Sequence, residues 1–118
     1  MTLPPMNYER RSKDGRVRSA KHRAWIRKHL CILWARQDCE GPIDCCHART
    51  LSPEKIVGLG MKVGDEFTFS ACRKHHRESE RNEVKYFAAE GINIAEICLE
   101  FARKSPDKLI REAAKASR

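Results

Sequence analysis

The chain has 118 residues, with 24 Lys and Arg against 16 Asp and Glu and a net charge of +8. That length fits one small domain and excludes large catalytic architectures such as an eight-stranded α/β barrel. At 41% hydrophobic and 34% charged residues the chain is too apolar to be disordered throughout and too charged for a membrane protein.

In chain order, residues 1–19 carry Pro4, Pro5, Gly15 and the basic residues Arg10, Arg11, Lys13, Arg16 and Arg18 without any helical or strand period. They read as a flexible basic arm suited to phosphate contacts, which need charge but no fixed shape. Met1–Arg11 has no apolar signal segment, and no apolar run approaches the ~20 residues that span a bilayer, so a cytoplasmic location without membrane contact is expected. Ser19 can cap a helix over residues 20–29, made basic by Lys21, Arg23, Arg27 and Lys28, with Ala24, Trp25 and Leu30 on its buried side. Residues 35–42 are turn-like, and residues 43–48 read as a short strand. A long loop with Pro53, Gly58, Gly60 and Gly64 follows. The alternating stretch over residues 66–71 predicts a second strand. Residues 73–90 read as helix broken near Asn82 and stopped by Gly91. Asn93 caps a further helix through Arg103, with Ile94, Ile97, Cys98 and Phe101 on one face. A last, mostly polar helix starts at Ser105-Pro106-Asp107, with Pro106 at its first position. The expected division is an arm over 1–19, a metal-containing domain over 20–104 and a C-terminal helix or tail over 105–118.

Six cysteines in a chain without an export signal point to metal rather than disulfides. Cys72 and His75 stand two residues apart at a strand-to-helix junction, a spacing that lets both reach one ion. Cys31 and Cys39 are the best second pair, although their seven-residue gap is wider than usual and Trp34 occupies the position of a closer ligand. A Cys3His tetrahedron of Cys31, Cys39, Cys72 and His75 would hold structural zinc, with Cys45 or Cys46 as the alternative fourth ligand. Cys98 is assigned to the core. A second cluster remains: His47 ends the first strand beside Cys45 and Cys46, and His76 and Glu80 share one helix face four residues apart. An imidazole with a carboxylate suits a hard or borderline divalent ion.

A strand ending in His, a long loop, a second strand and a helix with metal ligands resembles the HNH, or ββα-metal, nucleases. The match is nearest to a phage and prophage group with a zinc knuckle, among them RecA-dependent phage nucleases. It is carried by H-R-A-W-I-R (residues 22–27), Cys31, C-H-A-R (46–49), G-L-G-M-K-V-G-D (58–65), C-R-K-H-H-R-E (72–78) and N-E-V-K-Y-F-A-A-E-G-I (82–92). The resemblance implies an α+β fold with a small zinc-stabilised ββα-metal core, flanked by an N-terminal helix and C-terminal helices. It implies hydrolysis of DNA phosphodiester bonds, with His47 as general base and Arg49 on the phosphate. The catalytic Mg2+ or Mn2+ would sit on His76, Glu80 and Cys46. Glu80 stands where relatives often have His, and Cys46 where many have Asp or His. DNA binding is expected from Arg10, Arg11, Arg16, Arg18, Lys21, Arg23, Arg27 and Lys28. A recombinase or another phage protein is the partner that the resemblance suggests besides DNA. The alternative is a non-catalytic zinc-dependent DNA- or protein-binding module of phage origin that keeps the zinc ligands and the basic faces.

Overall fold

The computed structural model describes residues 16–51 and 63–116. Helix α1 (Ala20–Ile26) is capped by Ser19, whose side chain accepts the His22 N–H, as the sequence predicts. It ends earlier than expected. Lys28 and His29 close tight turns onto Trp25 and Ile26, and His29 Nδ1 lies 2.9 Å from the Trp25 carbonyl. Its buried residues are His22 and Ile26, one helical turn apart, whereas Ala24 and Leu30 are exposed and Trp25 is half-buried. The expected buried side was therefore wrong. An imidazole replaces an apolar side chain in the core because both its nitrogens are satisfied there: Nδ1 lies 2.8 Å from Ser105 Oγ and Nε2 3.0 Å from Thr68 Oγ1.

Strands β1 (Ile43–His47) and β2 (Thr68–Cys72) form a two-stranded antiparallel sheet in which Ile43 faces Cys72 and His47 faces Thr68. The second strand starts later than its alternating pattern suggests. Asp65–Phe67 form a 3-10 turn, closed by Phe67 N–H to the Gly64 carbonyl and by Thr68 Oγ1 to the Asp65 carbonyl at 2.8 Å. All five residues of β2 are buried, because α1 covers the sheet from one end of the chain and the later helices cover it from the other. The loop with Pro53, Gly58 and Gly60 lies outside the described residues.

The break expected at Asn82 is present. Helix α2 (Arg73–Ser79) stops, and Asn82 caps α3 (Glu83–Ala88) by accepting the Lys85 N–H at 3.1 Å. Gly91 follows with φ +77°, the left-handed conformation that glycine adopts without steric cost. Asn93 caps α4 (Ile94–Arg103), which buries Ile94, Cys98 and Ala102. The last helix, α5 (Lys108–Ala116), starts after Pro106 rather than on it. Asp107 acts as its cap, with Oδ1 accepting the Leu109 N–H at 2.9 Å.

The main core lies between the sheet and helices α3 and α4. Phe69 and Phe87 meet there edge to face, 5.2 Å between ring centres, with Cys46, Ile94 and Cys98 around them. A smaller cluster of Val17, Ala102, Ile110 and Ala114 fastens α5 to α4. Residues 1–15 of the expected arm lie outside the described residues. Residues 16–19 belong to the folded body: Val17 and Ser19 are buried, and the Val17 carbonyl accepts the Asp65 N–H at 2.9 Å.

Burial lowers the His22 pKa to about 4, against attraction from Asp65 and Asp107. A depressed folded-state pKa means that the unfolded chain takes up the proton first as pH falls. Stability then drops as pH goes from about 6.5 toward 4 and does not depend on His22 above that window. In urea titrations, His22→Gln is expected to be less stable than wild type at pH 7.5, with the gap narrowing toward pH 4.5. An unchanged gap would show that His22 titrates normally.

Candidate metal centre and the adjoining cleft

Cys72 caps α2, and its Sγ accepts the His75 N–H at 3.5 Å. A cap residue and the third residue of its helix stand at the same helix end, which is why the two-residue spacing brings Cys72 Sγ to 3.2 Å from His75 Nδ1. Cys31 leaves α1 beside β2, where Ile32 N–H bonds to the Ser70 carbonyl. Its Sγ is 3.4 Å from the same ring nitrogen. The wide gap to Cys39 is taken up by a 3-10 turn at Trp34–Arg36 and by Gln37, whose φ of 59° reverses the chain. Cys39 Sγ thereby reaches 3.8 Å from His75 Nδ1. Lys74 N–H to the Glu40 carbonyl and Arg73 N–H to the Pro42 carbonyl then pin this loop to the start of α2. Gly41, at φ +86°, is required here, since a Cβ would come 2.7 Å from Arg73 Cβ.

The donor atoms of Cys31, Cys39, Cys72 and His75 all lie within 4.8 Å of one another. A zinc tetrahedron with ordinary bond lengths places sulfur about 3.6 Å from nitrogen, so the observed 3.2, 3.4 and 3.8 Å match a set of ligands around one ion. The cluster is consistent with structural Zn2+. Burial alone would raise the Cys72 thiol, but hydrogen bonds from the His75 and Glu40 N–H groups and from the Cys39 and Cys31 thiols outweigh it and lower its pKa. His75 Nε2 is buried and approaches Asp38 Oδ1 to 3.0 Å, although not in line for a hydrogen bond. A carboxylate behind a ligating imidazole is a common way to fix the ring and raise its basicity.

Around the far end of β1 lies a cleft of about 300 Å³, lined by His47, His76, Glu80, Arg23 and Arg49 among others. Each histidine is held by a carboxylate. His47 Nε2 lies 2.8 Å from Asp65 Oδ1, and His76 Nδ1 lies 2.9 Å from Asp44 Oδ2. Asp65 is 3% exposed and also accepts the Ser19 N–H at 2.7 Å and a hydrogen bond from Arg23. Burial by itself would raise its pKa, yet His47, Ser19 and Arg23 together hold it below the usual carboxylate range. Asp44 is likewise held low, first by Arg73, which binds it through two nitrogens, and then by His76.

The sequence reading needs correction at Cys46. Strand alternation turns it away from His47 and into the main core, 1% exposed, and burial pushes its thiol far above the thiolate range. It does not join His76 and Glu80 as a ligand. Cys45, on the same strand face as His47, lines the cleft instead, with burial pushing its thiol up to about 11. Asp44 and Asp65 went unrecognised. Strand alternation turns the Asp44 backbone position away from His47, but its side chain reaches across to Arg73 and His76 of α2. Among the described residues, no further group of three or more ligating side chains converges besides the Cys3His set. Of the expected DNA-contacting residues, Arg16, Arg18 and Arg23 line the cleft, Arg27 lines an adjoining depression, and Arg10 and Arg11 lie outside the described residues.

The chain is similar to the uncharacterized protein YdfU of Escherichia coli (strain K12). The two are 26% identical over 90 residues, a stretch that covers 72% of this chain and 25% of that protein. This chain therefore matches about a quarter of the length of that curated relative. No protein-family model matches the chain, and no solved structure matches it. Among the described residues, no helix is long and apolar enough to cross a membrane.

The purified protein is expected to contain one tightly bound zinc per chain by elemental analysis. Cys39→Ser should lose it and unfold at lower temperature, whereas Cys98→Ser, in the core but outside the ligand set, should retain it. Full zinc retention by Cys39→Ser would exclude this ligand set.

Proposed function

We propose that this chain is a metal-dependent endonuclease of the HNH type that hydrolyses DNA phosphodiester bonds. The observation that carries the reading is the convergence on one cleft of two histidines, each backed by a carboxylate, with Glu80, Arg23 and Arg49 beside them. The ββα order of β1, β2 and α2, and the Cys3His cluster at their junction, support the same reading.

Hydrolysis needs a base for the attacking water, neutralisation of the phosphate and a stabilised leaving oxygen. With Nε2 turned to Asp65, His47 keeps Nδ1 to take a proton from water as the new oxygen–phosphorus bond forms and the bond to the leaving oxygen breaks. Asp65 fixes the orientation of the ring. Arg49, exposed at the cleft rim, is placed to hold a phosphate oxygen. His76, with Nδ1 on Asp44, offers Nε2 alongside the Glu80 carboxylate. This imidazole–carboxylate pair, without a closed cage, fits a hard divalent ion that keeps waters and takes its remaining ligands from substrate phosphate. When bound, such an ion supplies charge neutralisation at the phosphate and the leaving oxygen. The burial of Cys46 favours a second reading, a zinc-stabilised nucleic-acid-binding module without catalysis, because the second metal set has one ligand fewer than expected.

Plasmid nicking with Mg2+ or Mn2+ separates the two readings. His47→Ala should lower the cleavage rate by about 10²–10⁴-fold with zinc content and DNA binding near wild type. Asp65→Asn should lower the rate less than His47→Ala, since it acts through His47. Failure of wild type to nick with any divalent ion would favour the binding module.

Glu80→Ala should weaken activity in a way that excess Mn2+ partly restores, while Cys46→Ser should leave the metal dependence unchanged. A changed metal dependence in Cys46→Ser would return that residue to the site.

A further inference from the structure

Three depressions in the surface are linked by shared lining residues. The cleft that contains His47 and His76 shares Arg18 with a second depression at the start of α5. On its other side it shares Cys45, His76 and Glu80 with a third, lined also by Arg73 and Arg77. Together they form one furrow. Its charge balance changes along its length. In the central stretch Asp65, Glu80 and Glu83 offset the arginines. In the third, Arg73 is already bound to Asp44. At the α5 end, Arg18, Lys21, Lys108 and Arg111 surround a single carboxylate, Asp107. That carboxylate is 3% exposed and already accepts hydrogen bonds from Ser19 Oγ and the Leu109 N–H. Arg18, Lys21 and Lys108 are exposed, and Lys108 has only a 3.9 Å contact with the exposed Glu112.

We propose that the start of α5, with Arg18 and Lys21, is a phosphate clamp that holds the backbone of a nucleic acid beyond the reaction cleft. The proposal rests on the nucleic-acid reading of that cleft and adds a flank to it. A surplus of exposed cations attracts a polyanion and raises its association rate. Backbone phosphates demand charge at intervals and no base contacts, which matches four flexible basic side chains around a shallow depression. Arg18 belongs to both stretches, so one strand can pass from the clamp to the cleft over a shared basic side chain. A protein partner fits less well: the depression has no aromatic or large aliphatic side chain to act as the buried anchor of a protein interface. Arg111 is less available than the other three, because its guanidinium also bonds to the Ser105 carbonyl at 2.8 Å.

The test uses the full-length, zinc-loaded protein and a short labelled DNA duplex, with anisotropy followed across a salt series and no Mg2+ or Mn2+ added. The clamp variant is Arg18→Ala/Lys21→Ala/Lys108→Ala. The control, Arg103→Ala/Lys104→Ala/Lys115→Ala, removes the same charge from exposed positions outside the furrow. Each phosphate contact contributes about 0.9 to the slope of log affinity against log salt. The clamp variant should flatten that slope by about 2–3 and bind more weakly for every duplex sequence, with the control near wild type. An unchanged slope, an equal loss in the control, or no duplex binding by wild type would overturn the clamp. His47→Ala in parallel keeps the two readings apart. A wild-type salt slope in the clamp variant of a protein that still nicks DNA removes the clamp alone. Absence of nicking leaves the slope comparison intact.

Discussion

The convergence of three thiols and one imidazole on a single point is the constraint from which the rest of the arrangement follows. Cys31 stands after α1, Cys39 on a reversing loop, and Cys72 and His75 at the β2–α2 junction, so three separate stretches of chain meet there. Two short strands and several helices of seven residues or fewer bury little apolar surface each, and isolated helices of that length do not hold in water. Structural zinc in small domains supplies roughly 10–16 kcal/mol of apparent binding free energy, more than the whole stability of many domains. A cluster of this kind can therefore set the angle between the sheet and α2, and with it the separation of His47 from His76 and Glu80.

A second constraint works at the other end of the sheet, where His47 faces Thr68. Asp65 sits below the surface and accepts hydrogen bonds from His47, Ser19 and Arg23, while Ser19 also donates to Asp107 at the cap of α5. His22 spans Thr68 and Ser105 in the same region. These buried polar groups tie the first described residues, the end of the long loop and the last two helices to the strand that carries His47. Each member is satisfied, as buried polar networks must be if they are to specify one structure. The C-terminal helix, which reads in sequence as a polar tail, is thus part of the frame around the cleft. Its packing through Ile110 and Ala114 has the same consequence.

The two sites differ in how ready they are. The Cys3His set has its donors already at ligand spacing, the mark of a closed structural site. The cleft is open, carries mixed charge and holds its histidines by carboxylates rather than by a converged set of ligands. On the proposed nuclease reading, substrate phosphate would complete this open site, and the proposed clamp at α5 would extend it along a polyanion.

Local signals in the sequence determined the element order, the break at Asn82, the Gly91 stop, the cap at Asn93 and the Cys72–His75 pair, because each depends on residues a few positions apart. Cys72 and His75 are legible for that reason, and Cys39 follows from the need for a fourth donor. Tertiary structure alone decided which way neighbouring strand residues face and what long-range partners they meet. Cys46 belongs to the core and Cys45 to the cleft because β1 alternates between them. His22 is buried because Thr68 and Ser105 arrive from 46 and 83 residues away. Asp65 reaches His47 across 18 residues and Asp44 reaches His76 across 32. No spacing rule encodes such meetings, since they arise only when the sheet, the loop and the helices have closed on one another.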